Sequence, residues 1–220
     1  MRTFAEIAAI AAARKGSLDA VLAGATTPRP PAELAAIPDD RWLAQMAKGI
    51  FKAGINWSVV ETKWPGIEEA FHGFDPGRVS MIEGDAFDAL LADPRVIRSG
   101  AKIAAIRDNA ATLRANPGFG QRVADWPVED ITGLFQWLDT TFSRLGGSTG
   151  PYMLRAMGKE GFLLTSDVVA RLQEEGVIPG PATSAKALQK VQAAFNAWRA
   201  ESGLTFNQIS RVLAHSIDAK

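Results

Sequence analysis

The sequence contains no cysteine and only two histidines, His72 and His215. Without cysteine no disulfide can form, and a zinc site built on thiolates is excluded. Two imidazoles are too few for a histidine-rich catalytic metal site, so we expect no metal and no cofactor. No apolar run is long enough to cross a bilayer. The sequence therefore predicts a cytoplasmic protein with no membrane partner.

The chain also lacks net charge, because 24 Lys and Arg balance 24 Asp and Glu. Phosphate binding favours a local excess of basic residues, so this balance does not by itself indicate nucleic acid. The stretch between Arg95 and Arg122 departs from this charge balance, and its only acidic residue is Asp108. Its basic residues are Arg95, Arg98, Lys102, Arg107, Arg114 and Arg122. Charge alone leaves two interpretations open, a phosphate-binding surface and a solvated helix face.

Alternating runs of Val, Ile and Thr are absent, whereas apolar residues recur every three or four positions between Gly and Pro breaks. This pattern predicts an all-α fold. The predicted helices cover residues 3–14, 39–53, 57–63, 65–72, 83–92, 100–115, 128–142, 149–157, 166–175, 184–201 and 205–216. The length suits one domain, or one domain of two helical lobes.

A Pro-rich stretch over residues 24–38 predicts a connection between two parts of the chain. We expect an N-terminal helical arm and this connection over residues 1–38. The main helical domain is then predicted to cover residues 39–220.

Residues 39–115 carry a specific order of motifs. The motif residues are Gly54, Ile55, Asn56 and Trp57, then Ala70, Phe71, Phe74, Asp75 and Pro76, then Ile97, Arg98, Lys102, Ile103 and Asn109. In this order and spacing the segment resembles the first half of the 3-methyladenine DNA glycosylase I family, within the helix-hairpin-helix DNA glycosylase superfamily. The resemblance implies a two-lobed, all-α glycosylase-like fold over residues 39–220.

The resemblance gives Trp57 and Ile55 roles at a base pocket. Aromatic faces stack on any base, so Trp57 can form a flat wall for an extruded base. Ile55 stands where the family places an apolar wedge that fills the gap left by the flipped nucleotide. A Trp in helical register is otherwise most often a core residue, and that alternative stays open here.

The chain departs from the family at its recognition residues. Gly49 stands where the family has a Glu that recognises the methylated base, eight residues before Trp57. The family's zinc ligands and its N-terminal Tyr also have no counterpart. The resemblance therefore implies base stacking in general and does not imply specificity for 3-methyladenine.

The second half contains a Gly-rich turn within a predicted hairpin over about residues 143–160. Gly146, Gly147 and Gly150 permit a tight turn whose backbone N–H groups can bind a DNA phosphate at a helix start. The wider superfamily has a similar hairpin, which supports that interpretation. An ordinary loop between two helices is the alternative.

Asp167 follows the turn at about the superfamily's spacing for a catalytic Asp. The resemblance implies that its carboxylate stabilises positive charge on the deoxyribose and directs water to C1′. The alternative is that Ser166 or Asp167 is a helix N-cap. Tyr152 either lines the base pocket or packs against the protein. The turn carries no Lys where lyase-type members have one, so monofunctional hydrolysis is expected.

Together these residues predict a monomeric, monofunctional DNA glycosylase that removes a damaged, alkylated base from double-stranded DNA during base-excision repair. Arg98, Lys102 and the Gly146–Gly150 turn are expected to hold the DNA backbone. Two alternatives remain, a catalytically inert DNA-binding relative and a protein of the same fold that does not bind DNA.

Overall fold

The computed structural model describes residues 1–218 and is all-α, with no strand in that range. The helices are α1 (Phe4–Lys15), α2 (Leu18–Leu22), α3 (Pro31–Ala35), α4 (Asp39–Lys52), α5 (Trp57–Ala70), α6 (Pro76–Val79), α7 (Gly84–Ala92), α8 (Gly100–Ala115), α9 (Phe119–Asp125), α10 (Ile131–Thr141), α11 (Thr149–Met157), α12 (Ser166–Glu174), α13 (Ala185–Ser202) and α14 (Phe206–His215). Short 3-10 helices span His72–Phe74 and Val128–Asp130. The predicted fold class is confirmed.

The helices form two compact units. Unit 1 contains Met1–Arg29, Pro127–Gly133 and the chain from Gly158 onward, whereas unit 2 contains Pro30–Trp126 and Leu134–Met157. The N-terminal residues thus pack with the C-terminal part of the chain, and Trp198 Nε1 donates to the carbonyl of Arg2 at 3.2 Å.

Unit 2 is built around α4, which packs against α5, α6, α8, α9 and α11. A helix with neighbours on several sides needs apolar side chains around much of its circumference. The buried side chains of α4 are Trp42, Leu43, Ala44, Met46, Ala47, Ile50 and Phe51. Asp39 and Asp40 lie in its first turn, where negative charge stabilises the helix dipole.

Unit 1 is built around α14, which packs against α1, α2, α12 and α13. A buried ion pair lies beside it at the C-terminal end of α12, where Arg171 Nη1 is 3.1 Å from Oε1 of the C-cap residue Glu175. Glu175 also accepts a bond of 2.7 Å from Arg2 Nη1. Burial raises the pKa of Glu175, but hydrogen bonds from Arg2 and Arg171 outweigh it and hold the pKa below its ordinary value.

The observed helices differ from the predicted ones mainly at α5 and at short elements. The sequence predicts a helix break before Pro65, but α5 runs through this residue. Pro65 removes one backbone donor, yet Val60 and Ile67 on either side are buried in unit 2, so packing outweighs that loss. The prediction also missed α2, α3, α6 and α9, which have four to seven residues.

No helix within residues 1–218 is both long enough and apolar enough to cross a membrane.

Candidate functional site

Trp57 is exposed at the start of α5. Asn56 is the N-cap of this helix, and its Oδ1 accepts a bond of 3.0 Å from the backbone N–H of Ser58. The cap fixes where the helix begins and therefore where the indole leaves the backbone. Trp57 is 54% exposed, so it is not a core residue, and the core alternative is wrong.

Tyr152 of α11 lies against Trp57 in unit 2. Their ring centroids are 5.9 Å apart at 81°, an edge-to-face contact. Tyr152 is itself 39% exposed. The structure thus brings together two of the residues predicted to line a base pocket, although they are remote in the sequence. A pair of exposed aromatic rings with fixed mutual orientation is suited to stacking on a flat ligand.

Lys52 is a member of this site that no sequence pattern indicated. Its ammonium lies over the Trp57 ring, 5.1 Å from the ring centroid. Glu61 of α5 holds it there through a bond of 2.6 Å from Lys52 Nζ to Oε1. The other oxygen of Glu61 binds Lys48 at 2.7 Å. Hydrogen bonds from Lys48 and Lys52 lower the pKa of Glu61.

Gly49 lies on α4 where the start of α11 packs against it. A Cβ at this position would be 3.1 Å from Thr149 Cγ2. Such a contact is tighter than an ordinary van der Waals separation, so a longer side chain needs Thr149 to move. The close packing of these helices therefore explains why a glycine suits the position where the family has its Glu.

Ile55, the predicted wedge, lies in the turn between α4 and α5. Its backbone N–H donates to the carbonyl of Lys52 at 3.2 Å, and its side chain is half-buried. Gly54 precedes it with φ of +73°, a conformation that favours glycine and ends α4.

The Gly-rich turn joins α10 to α11. Gly150 is buried, and a Cβ there would lie 2.5 Å from the carbonyl oxygen of Leu145. Its N–H donates to that same oxygen at 3.0 Å, and the N–H of Thr149 donates to Gly146. Gly147 is exposed with φ of +60° and open space around it. Two of the N–H groups at this helix start are therefore used inside the turn.

Asn109 of α8 holds the chain just before this turn. Its Nδ2 donates to the carbonyl of Ser143 at 3.0 Å, and its Oδ1 accepts from the N–H of Ser143 at 2.7 Å. Asn109 is fully buried. This two-bond contact gives a physical role to the Asn of the motif, because it fixes the turn relative to α8.

The two predicted DNA-backbone cations have different surroundings. Arg98 is exposed in the segment before α8. Lys102 instead donates from Nζ to the carbonyls of Phe51 and Ala53, at 3.0 and 2.6 Å, and so caps the C-terminal end of α4. Burial lowers the pKa of Lys102, and the positive charge of Arg144 lowers it further.

Asp167 lies in unit 1, in the first turn of α12. The N-cap of this helix is Thr165, whose side chain accepts from the N–H of Val168, so neither Ser166 nor Asp167 is the N-cap. The carboxylate of Asp167 interacts electrostatically with His215 on α14. The pKa of His215 is lowered, chiefly by burial, and the negative charge of Asp167 opposes that shift.

Comparison with known proteins bears on the segment that carries the Trp57 site. The family model of methyladenine glycosylase matches residues 37–126. This segment is methyladenine glycosylase-like. The resemblance predicted from the motif residues is thereby confirmed, and the matched segment lies within unit 2. The Gly-rich turn and Asp167 lie outside it.

Individual relatives of the methyladenine glycosylase-like segment cover parts of the chain. The DNA-3-methyladenine glycosylase of Haemophilus influenzae is 33% identical over 75 residues, which are 34% of this chain and 40% of that protein. DNA-3-methyladenine glycosylase 1 of Escherichia coli is 29% identical over 114 residues, 50% of this chain and 61% of that protein. The chain thus matches less than two thirds of the length of either.

A solved structure of 3-methyladenine DNA glycosylase I from Staphylococcus aureus is 21% identical, with a TM-score of 0.49. The superposition covers 66% of this chain and 89% of that one.

Proposed function

We propose that the protein is a monofunctional DNA glycosylase, which hydrolyses the N-glycosidic bond of a damaged, alkylated base in double-stranded DNA. In this proposal it acts as a monomer in the cytoplasm, on the nucleoid, as a base-excision repair enzyme. The observation that carries the proposal is the exposed Trp57–Tyr152 pair within unit 2, whose Trp57 lies in the methyladenine glycosylase-like segment. Both curated relatives are named DNA-3-methyladenine glycosylases.

The proposed role of Trp57 is to stack on a base that has been rotated out of the duplex. Extrusion costs a few kcal/mol and costs least for a weakly paired, damaged base. Stacking on an aromatic side chain returns about 1–3 kcal/mol. Ile55 is proposed to enter the gap left in the duplex, and Tyr152 to hold the indole in orientation. Gly49 leaves this surface without the carboxylate that the family uses to recognise its base.

The proposed chemistry needs no cofactor, because water is the nucleophile. The C1′–N bond breaks with its electron pair leaving on the base, and positive charge develops on the deoxyribose. Water adds to C1′ and loses a proton. The proposed role of Asp167 is to stabilise the positive charge and to orient this water, a kind of electrostatic effect that contributes several kcal/mol at a site sheltered from solvent.

The DNA backbone is proposed to lie along the Gly146–Gly150 turn and beside Arg98 and Lys102. The exposure of Gly147 and of Arg98 supports this assignment. Lys102 keeps one ammonium hydrogen beyond the two that bind carbonyls of α4.

Base release from methylated duplex DNA tests the catalytic proposal. We expect wild type to release a methylated base, and Asp167→Asn to slow release by about 100-fold, the typical loss when one electrostatic stabiliser is removed. Glu174→Gln is a matched control, since it changes an exposed carboxylate on the same helix. Equal release by wild type and Asp167→Asn would contradict the catalytic role.

A catalytically inert DNA-binding relative is the second candidate. The absence of the family's base-recognising Glu at Gly49 favours it. It predicts duplex binding that weakens with salt and no release of any modified base.

Salt titration of duplex binding separates both candidates from a fold that does not bind DNA. Removal of one phosphate-binding cation should reduce the slope of log affinity against log salt by about 0.9. We expect this reduction for Arg98→Gln and for Lys102→Gln. No binding at low salt would contradict both DNA-binding functions.

A further inference from the structure

We propose that Arg144 binds a phosphate of the DNA backbone, and that its strained main chain is kept for this contact. The inference deepens the function proposed above and rests on it. It adds a residue that neither the motif residues nor the basic stretch indicated. It concerns the binding of the duplex and is independent of the release of a base.

Arg144 has an unusual backbone conformation for its residue type. Its φ is +60°, in the left-handed region, where a residue with a Cβ is destabilised and glycine or asparagine is preferred. The side chain is exposed, so its burial does not compensate for this conformation. A strained residue whose own side chain gains nothing from packing is a candidate for a functional role.

The residues on either side of Arg144 hold it in this conformation. The backbone of Ser143 donates to and accepts from the side chain of Asn109, at 2.7 and 3.0 Å, and Asn109 is fully buried. Leu145 is fully buried as well, and its carbonyl accepts a bond of 3.0 Å from the N–H of Gly150. Because both neighbours are fixed, the direction of the Arg144 Cα–Cβ bond is fixed too.

The guanidinium of Arg144 has no counter-charge in the described chain. Within residues 1–218 it forms no ion pair and no hydrogen bond. The carboxylate of Asp139 packs against Gly146 in the same turn, yet it is not paired with Arg144. An unpaired arginine at the surface is available for an anion, and its planar guanidinium matches the oxygens of a phosphate.

A second cation lies on the same side of this turn. Lys102 and Asn109 are seven residues apart on α8 and so share one face of the helix, and Asn109 contacts the residue before Arg144. Burial lowers the pKa of Lys102, and the positive charge of Arg144 lowers it further. Lys102 bonds to two carbonyls of α4. Two neighbouring cations create a positive potential that attracts an anion.

A phosphate of duplex DNA is the anion that this arrangement fits. Arg144 directly precedes the Gly146–Gly150 turn, which is proposed above to lie along the DNA backbone, and Gly147 and Ser148 of that turn are exposed. The closely spaced phosphates of one strand allow a duplex to meet the turn and Arg144 together. Such a contact positions the duplex and reads no base.

Binding of an unmodified duplex to the full chain at several salt concentrations tests the proposal. Arg144→Gln removes the charge and keeps the strained backbone. We expect it to weaken binding by about tenfold and to reduce the slope of log affinity against log salt by about 0.9. Arg144→Lys keeps the charge and should keep the slope. Inorganic phosphate at matched ionic strength should not displace the duplex from wild type.

Arg78→Gln is the matched control. Arg78 is also an exposed arginine of unit 2, and its guanidinium forms no ion pair or hydrogen bond within residues 1–218. It differs in lying within α6, where its backbone is helical. We expect Arg78→Gln to change the slope by less than about 0.3.

The strain predicts an opposite change in stability. Arg144→Gly removes the charge and also relieves the positive φ. It should therefore lose as much slope as Arg144→Gln, while its melting temperature rises by about 2–4 °C. Arg144→Gln retains a Cβ and should melt within about 1 °C of wild type. A residue kept for stability would instead lower the melting temperature when it is replaced by glycine.

An unchanged slope in Arg144→Gln, or an equal reduction in Arg78→Gln, would overturn the proposal. So would a melting temperature of Arg144→Gly at or below that of wild type, or displacement of the duplex by inorganic phosphate. Base release from methylated duplex tests the proposed function separately. Binding that depends on Arg144 without release of any base would contradict the glycosylase activity and still support the contact. Base release by wild type with an unchanged slope in Arg144→Gln would do the reverse.

Discussion

The two units use charged side chains in opposite ways. In unit 1 the side chains of Arg171 and Glu175 are 5% and 1% exposed, and they form an ion pair within the core, where Glu175 also binds Arg2 and Arg171 also binds Ser216. In unit 2 the cluster of Lys48, Lys52 and Glu61 lies closer to the surface, beside the exposed ring of Trp57 and the half-buried ring of Trp64. A buried pair must stay complete, because a lone buried charge is costly. Substitutions in a surface cluster cost little stability, so its residues can be used to bind a ligand.

Removal of the charge of Glu175 should have the largest effect on stability. Glu175→Gln leaves Arg171 buried without its counter-charge, and we expect a decrease of about 3 kcal/mol in the free energy of unfolding. Glu61→Gln in unit 2 should cost less than about 1 kcal/mol, because the Glu61 side chain is half exposed to water. Denaturant unfolding measures both, and hydrogen exchange should report the destabilisation chiefly in α12 and α14. Equal losses of stability in the two variants would contradict this difference between the units.

The Gly-rich turn of unit 2 should be the next most sensitive place. Gly150→Ala places a Cβ 2.5 Å from a backbone oxygen, so the turn must shift, and we expect a decrease of about 2–3 kcal/mol in the free energy of unfolding. Gly147→Ala meets open space and adds only the strain of a positive φ, about 1 kcal/mol. Thermal unfolding of the two variants checks the order, and the reverse order would contradict the observed packing.

Disruption of the Asn109 contact should cost slightly less. Asn109→Ala removes both bonds to Ser143 and leaves its backbone groups partly unsatisfied, which we expect to lower stability by about 2 kcal/mol. Asn109→Asp keeps the acceptor and should be less destabilising near neutral pH. Hydrogen exchange at residues 143–150 is the direct measurement. Unchanged hydrogen exchange at residues 143–150 in Asn109→Ala would show that the turn is stable without this contact.

The smallest expected effect is the pH dependence of the Glu175 contribution. The pKa of Glu175 is lowered in the folded protein, so the folded state binds this proton less readily than the unfolded chain. Its stabilisation is present above the ordinary pKa of Glu, about 4.3, and is lost as pH falls through the folded value. The stability difference between wild type and Glu175→Gln should therefore shrink in acid. A difference that is constant from neutral pH to about pH 3 would contradict the shift.

Helix positions could be predicted well where the pattern was long and local. The bounds 100–115 and 149–157 agree with α8 and α11, because apolar spacing in one segment reports directly on the face it buries. Elements of four to seven residues were missed because they offer too few repeats. The break predicted before Pro65 was wrong because burial of Val60 and Ile67 outweighed a local backbone preference.

The candidate site could be predicted only in part. Trp57 followed from its motif, and Tyr152 was one of two open interpretations. Lys52 could not be found, since nothing in the sequence places its ammonium over an indole five residues later on another helix. The contact that a side chain at Gly49 would make with Thr149 of α11 could not be predicted either, because the two residues are remote in the sequence.

The amino-acid order alone sets the helical class, the motifs that make residues 37–126 methyladenine glycosylase-like, and the absence of the family's Glu at Gly49. Tertiary packing was needed to show that Trp57 is exposed, that Tyr152 meets it edge to face, and that Lys52 lies over its ring. The physical reason is that periodicity and spacing are properties of one segment. The faces that side chains cover are set by the packing of helices that are remote in the chain.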